Sequence, residues 1–348
     1  MLSLCLPVTS ALALPPTQTP SAPIADAPLP SADNSQTLAQ LRQMIDRGHS
    51  EDALKKLDML TTEKPVQSGV YRLRGLALYS ENDFTDADVA FASALKQDSH
   101  DQESAQLRGL TLFRLGRSAD AIPLLESASS WTSQTRVDPN YVLALCYIDT
   151  HQYDKARQAF ATQYSFAPDS APAYLLAARM LLRRDSLPMA QQFAAKALEL
   201  DPQLPLAHSL LGEVALAGEH LDTAIAEFEK ERLHNPLDGS VYDRLGDAYS
   251  RAGDYIKAQQ SLQRALLLEP NSTGPYILLG KVLLKQQNPA NALMYLERAE
   301  KMDSSNYITH SLLGQAYRSL GRAEDASRET ETSHKIQTAN EPELETLH

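Results

Sequence analysis

Cysteine, tryptophan and surplus positive charge are all scarce in this chain, and each shortage narrows what it can do. Its 348 residues hold two cysteines, Cys5 and Cys146, and a formal charge of −12. If the N-terminal segment is removed, Cys146 is the only thiol left and no intrachain disulfide can form. The negative balance argues against nucleic acid or an anionic membrane as the main partner, since both are recognised by basic patches. No stretch approaches the roughly 18 apolar residues that a membrane span requires. Catalytic signatures are missing as well: there is no HExxH, CxxC or Gly-x-Ser-x-Gly. "GPYILLGKV" from Gly274 has five residues between its glycines, where a phosphate-binding loop has four, and Val282 where that loop needs Ser or Thr. The nine histidines are scattered. We assign no catalytic, cofactor-binding or metal-binding residue, and we expect neither an enzyme nor a small-molecule substrate.

What the chain does have is repetition. "YDRLGDAYSRAGDYIKA" at Tyr242–Ala258 is matched 34 residues earlier by "HSLLGEVALAGEHLDTA" and 34 later by "YILLGKVLLKQQNPANA". Leu-Gly recurs at Leu211-Gly212, Leu245-Gly246, Leu279-Gly280 and Leu313-Gly314. Pro168, Pro202, Pro236 and Pro270 keep the same interval, as do Ala190, Ala224, Ala258, Ala292 and Ala326. A sustained period of 34 marks a stack of helix–turn–helix units. Copies begin at residues 34, 68, 102, 137, 171, 205, 239, 273 and 307, the first and last being degenerate. One extra residue breaks the frame between copies three and four, beside the single tryptophan, Trp131.

Within a copy, positions 4, 7, 8 and 11 share one face of a first helix, and positions 20, 24 and 27 share one face of a second. Gly or Ala at position 8 opposite Ala at position 20 is expected to bring the two backbones close, with larger residues filling the space around them. Pro172 and Pro275 fit the start of first helices, Pro188 and Pro289 the start of second ones. Gly116, Gly218, Gly253 and Gly321 are expected to turn the chain between the two helices with φ above zero. Cys146, at a position that is Ala or Val in other copies, is expected in the core, like His208 and His310 at position 4.

The copy from Gly239 carries Tyr242, Leu245, Gly246, Tyr249, Ala258, Ala265 and Pro270, with Leu262 for Phe. It closely resembles the tetratricopeptide repeat (TPR) family, and the likeness extends over about residues 34–340. That resemblance implies an all-α fold, a right-handed α-solenoid superhelix of antiparallel helix pairs. It also implies a non-enzymatic scaffold that holds a peptide or protein segment in a concave groove lined by positions 2, 5, 9 and 12. Here that stripe is apolar in copies two to five: Leu76, Tyr79, Leu110, Phe113, Tyr141, Leu145, Ile148, Leu175 and Leu182, with Arg72 and Arg179 among them. In copies seven to nine it carries charge, with Asp243, Asp247, Lys281 and Arg318 on it and Arg244, Arg251 and Lys285 close by. The apolar part reads equally as packing between neighbouring first helices. No copy supplies the Lys and Asn at positions 5 and 9 that family members use to clamp a chaperone's terminal carboxylate.

Residues 1–33 differ in kind: a short apolar segment ending in "SALA" before Leu14, then a Pro/Ala-rich run. The small-x-small pattern fits a secretory cleavage site, although the basic start of such signals is missing. We expect export to a periplasmic or extracellular setting, as an envelope or secretion scaffold; the alternative is a cytoplasmic regulatory or chaperone-like module acting on one client enzyme. Residues 341–348 read as an acidic, disordered tail. Self-association of the solenoid is a further expectation.

Overall fold

The computed structural model describes residues 32–128 and 139–340 of the chain. The signal-like segment with Cys5, the frame break at Trp131 and the acidic tail lie outside them. The described residues form 18 helices and no strand. They run in antiparallel pairs: α1 (Ala32–Asp46) with α2 (Ser50–Thr62), α3 (Val70–Ser80) with α4 (Phe84–Gln97), and α5 (Gln102–Arg114) with α6 (Ser118–Ala128). Next come α7 (Pro139–Asp149) with α8 (Tyr153–Gln163), α9 (Ala171–Arg183) with α10 (Leu187–Leu200), and α11 (Ala207–Ala217) with α12 (Leu221–His234). The last three pairs are α13 (Gly239–Arg251) with α14 (Tyr255–Leu268), α15 (Thr273–Lys285) with α16 (Pro289–Met302), and α17 (Tyr307–Ser319) with α18 (Ala323–Asn340). Each helix packs on the next, and first helices also touch the first helices of neighbouring pairs. This is an α-solenoid, in which each pair buries its apolar face mainly on its neighbours.

Packing within a pair turns on position 8, and the structure refines the expectation there. A Cβ added to Gly246 would lie 2.5 Å from Leu262, and one on Gly280 would lie 2.5 Å from Leu296. Gly75 and Gly212 stand in the same relation to Phe91 and Phe228. The glycine makes room chiefly for the large side chain at position 24, not for the alanine at position 20. Leu262, Leu296, Phe91 and Phe228 are fully buried as a result. Backbone proximity to position 20 is seen at Gly314, whose added Cβ would sit 3.3 Å from the Ala326 carbonyl oxygen.

The turn between helices corrects a second expectation. Gly116, Gly253 and Gly321 do adopt positive φ. Gly218 does not: its φ is −81°, and the next residue, Glu219, takes the left-handed conformation at φ 60°. Position 15 of the copy carries the turn, and Gly218 stands one residue too early. The same conformation recurs at Gly48, Asn82, His151, Asp185 and Gln287.

The buried core falls into three clusters along the stack. The first runs from Leu41 to Ala77, the second from Leu78 to Val214, and the third from Ala215 to Ala326. Half-buried Leu54 and Leu76 pack against both of the first two, whereas no half-buried apolar residue is shared by the second and third.

Candidate functional site

The apolar stripe of the first helices is neither wholly core nor wholly exposed. Leu110 and Ile148 are each 3% exposed and belong to the core. Leu76, Tyr79, Phe113, Tyr141, Leu145, Leu175 and Leu182 are half-buried, packed against that core with part of each side chain at the surface. The aromatic members are held by their neighbours. Tyr79 meets Phe84 edge-on with ring centroids 5.3 Å apart, and Tyr141 meets Phe160 in the same way at 5.8 Å. The Arg184 guanidinium lies 5.8 Å from the Phe113 ring centroid, within reach of a cation–π attraction. Edge-to-face packing fixes ring orientation, so these rings keep little rotamer freedom.

Arg72 is engaged, and its partners were not foreseen. Its Nη1 lies 3.1 Å from Asp101 and its Nε 3.2 Å from Glu103. Arg42 of the first copy reaches the same Glu103 at 2.7 Å. Arg42 is at position 9 and Glu103 at position 2 of their copies, so the cluster ties copies one, two and three across the stripe. Gln106, at position 5 of copy three, is fully buried with neither amide atom hydrogen-bonded within the described chain. Arg179 is half-buried.

In the C-terminal half, Arg244 pairs with Glu213 at 2.8 Å. Burial pushes the Asp243 carboxyl up to about 6; Arg244 opposes the shift, while Asp247 and Glu269 add to it. Asp247 is half-buried, and Arg251, Lys281, Lys285 and Arg318 are exposed with no ion-pair partner among the described residues. The stripe therefore runs from half-buried aromatics to open cations along one surface.

Two buried titratable residues elsewhere are held within the packing. Cys146 is fully buried, and burial raises its thiol to about 11, far from a reactive thiolate. His310 is buried; its Nδ1 is 2.8 Å from Glu329 and its Nε2 3.0 Å from the Ser304 carbonyl oxygen, with Glu300 nearby. No helix among the described residues is long and apolar enough to cross a membrane.

Residues 239–272 and 277–336 match family profiles described as Tetratricopeptide repeat. The chain is a tetratricopeptide repeat protein. Residues 80–163 of this TPR protein match a profile described as Anaphase-promoting complex, cyclosome, subunit 3. Superkiller complex protein 3 of Mus musculus is 24% identical over 253 residues, which are 69% of this chain and 16% of that protein. The BBSome complex member BBS4 homolog of Drosophila melanogaster is 20% identical over 321 residues, 88% of this chain and 66% of that one. Among solved structures, YrrB, described as a TPR protein with an unusual peptide-binding site, aligns with a TM-score of 0.44 and 24% identity. That alignment covers 54% of this chain and 95% of YrrB. The TPR fold is a protein-interaction scaffold, generally without catalysis.

Proposed function

We propose that this TPR protein captures an extended segment of a partner protein along the stripe of positions 2, 5, 9 and 12. The observation that carries this reading is the run of half-buried apolar side chains in copies two to five, with Tyr79, Phe113 and Tyr141 held edge-on or under a guanidinium. Aromatic anchors in packed surroundings supply most of the binding energy at such surfaces, each about 2 kcal/mol or more when truncated. The apolar part of the segment lies on these rings. Lys281, Lys285 and Arg318, open to solvent, set its direction by charge. The protein works as a scaffold and not as an enzyme.

We place its action outside the cytoplasm, in the cell envelope or in secretion, on the strength of "SALA" before Leu14. N-terminal sequencing of the mature native protein tests this: a start near Leu14 supports export, and an intact Met1 moves the scaffold to a cytoplasmic client. For the stripe, partners identified by pull-down and mass spectrometry are re-tested against the Tyr79→Ser, Phe113→Ser, Tyr141→Ser triple variant. Capture is expected to be lost with helical content retained. Retained capture, or a triple variant that simply unfolds, would show that the stripe serves only as core.

A further inference from the structure

The stack contains its own design for filling one recurrent space, and at a single junction between copies that design is missing. At position 11, the first helices of copies four, seven and nine carry Tyr147, Tyr249 and Tyr317, all buried. Each phenol donates a hydrogen bond to a glutamate at position 25 of the preceding copy: Tyr147 to Glu126, Tyr249 to Glu229 at 3.0 Å, and Tyr317 to Glu297 at 3.3 Å. Each ring also lies under a cation from its own copy. Lys155 and Lys257, at position 19, cover Tyr147 and Tyr249, and Arg322, at position 16, covers Tyr317. Copies two, three, five and eight place leucine at position 11 instead: Leu78, Leu112, Leu181 and Leu283.

Copy six has neither. Position 11 is Ala215, position 25 of the preceding copy is Ala195, and positions 16 and 19 are His220 and Thr223. All four of these residues line a cleft of about 420 Å³, whose apolar wall is Leu187, Leu211 and Val214. The copy-four junction also borders a cleft, of about 440 Å³, but Tyr147 and Glu126 form its wall; in copy six Ala215 and Ala195 stand in their places, and the apolar wall behind them faces the cleft. The break between the second and third core clusters falls at this place, between Val214 and Ala215.

We infer that this cleft between α10, α11 and α12 is a second binding site, which takes an aromatic side chain from a partner protein in the place of the missing tyrosine. The shape of the occupant follows from the three filled junctions, where a six-membered ring enters between the same two helices and lies beneath the same two positions. The apolar wall favours the ring by burial, and His220 holds the place of Arg322 over it. Ala195 has removed the carboxylate that accepts the phenol, and Glu227, the one carboxylate on the lining, is taken up by His208 at 2.7 Å and Lys230 at 2.6 Å, so an unsubstituted ring meets no unpaired acceptor there. Gln191, on the cleft's lining, can serve a hydroxyl if the ring carries one. None of the stripe residues lines this cleft, so the inference stands or falls apart from the proposed function.

The test uses the full chain and N-acetyl-phenylalaninamide, with N-acetyl-leucinamide as the aliphatic comparison. Methyl resonances of Leu211, Val214 and Ala215 are followed by NMR. Saturable shifts confined to those methyls, stronger for the aromatic amide, are expected. Two variants fill the cleft by the stack's own solutions: Ala215→Leu alone, and Ala215→Tyr with Ala195→Glu. Both are expected to abolish the response, and the double variant to melt at a higher temperature than the parent. The Tyr79, Phe113, Tyr141 triple variant is expected to keep the response. Absence of saturable shifts, equal response to the leucine amide, or an unchanged response in folded Ala215→Leu overturns the inference.

Discussion

Nine turns of this molecule place the residue at position 15 in the left-handed region, yet only Gly48, Gly116, Gly253 and Gly321 are glycines. A residue with a Cβ loses roughly 1–2 kcal/mol there, of which glycine's greater unfolded-state freedom returns about 0.5–1 kcal/mol. Asn82 and Asp185 tolerate the conformation best, through local hydrogen bonding of a short polar side chain. Gln287, at φ 59° and exposed, has no such compensation. Gln287→Gly is therefore expected to stabilise the chain by about 0.5 kcal/mol, measured by urea unfolding, and Gly253→Gln to destabilise it by a similar amount. Glycine spacing predicted this turn in part and also misled. Gly218 looked like a turn residue because it is a glycine in the right neighbourhood, but the conformation belongs to a position in the frame and not to a residue type.

Helix pairs are joined by a few polar contacts whose effect depends on pH, and His310 of α17 is the clearest. Burial alone would lower its pKa, but the hydrogen bonds to Glu329 and the Ser304 carbonyl raise it, as do the charges of Glu329 and Glu300, and the net direction is up. Arg328 stands 3.8 Å from the other oxygen of Glu329 and competes only weakly from its exposed position. A folded pKa raised above the unfolded value of about 6.5 adds stability that is complete below that value. The contribution is lost as pH rises through the folded pKa. His310→Leu is thus expected to cost more stability at pH 6 than at pH 8.5, read as the difference in urea midpoints of parent and variant. An equal cost at both values would mean the histidine acts by packing alone. Position 4 could be read from the sequence as facing the core. Its carboxylate partner could not, because Glu329 sits 19 residues on and only the packing of α17 on α18 joins them. The stripe shows the same limit. A 3.6-residue period placed Leu110 and Ile148 beside Leu76 and Phe113, but it cannot tell how far neighbouring first helices close over each residue, and those two are covered.

For the molecule as a whole, contacts restricted to neighbours make stability a local property. Ala258 is fully buried where α14 meets α13, and Ala258→Leu overfills that contact at a cost of about 1–3 kcal/mol. Hydrogen exchange is expected to quicken in copies six to eight and to stay unchanged in copies one to three. A uniform rise along the chain would mean the stack unfolds as one unit. The 34-residue period revealed this one-dimensional order because every copy repeats the same contacts. It could not reveal the missing junction at Ala215, which is an exception to the period and becomes visible only when the three filled junctions are laid beside it.

The division of the core between Val214 and Ala215 also has a mechanical consequence. A stack loaded from its ends bears the same force at every junction, and bending collects where the fewest side chains interlock. The division runs through α11 itself: Leu210 and Val214 belong to the N-terminal core, Ala215 to the C-terminal one, and no half-buried apolar residue is shared by the two. Copy six is therefore where we expect the curvature of the molecule to be adjusted, like a compliant link between two stiffer rods. Small-angle scattering is expected to show a narrower spread of shapes once Ala215→Tyr and Ala195→Glu lock that link, and an unchanged spread would place the flexure elsewhere.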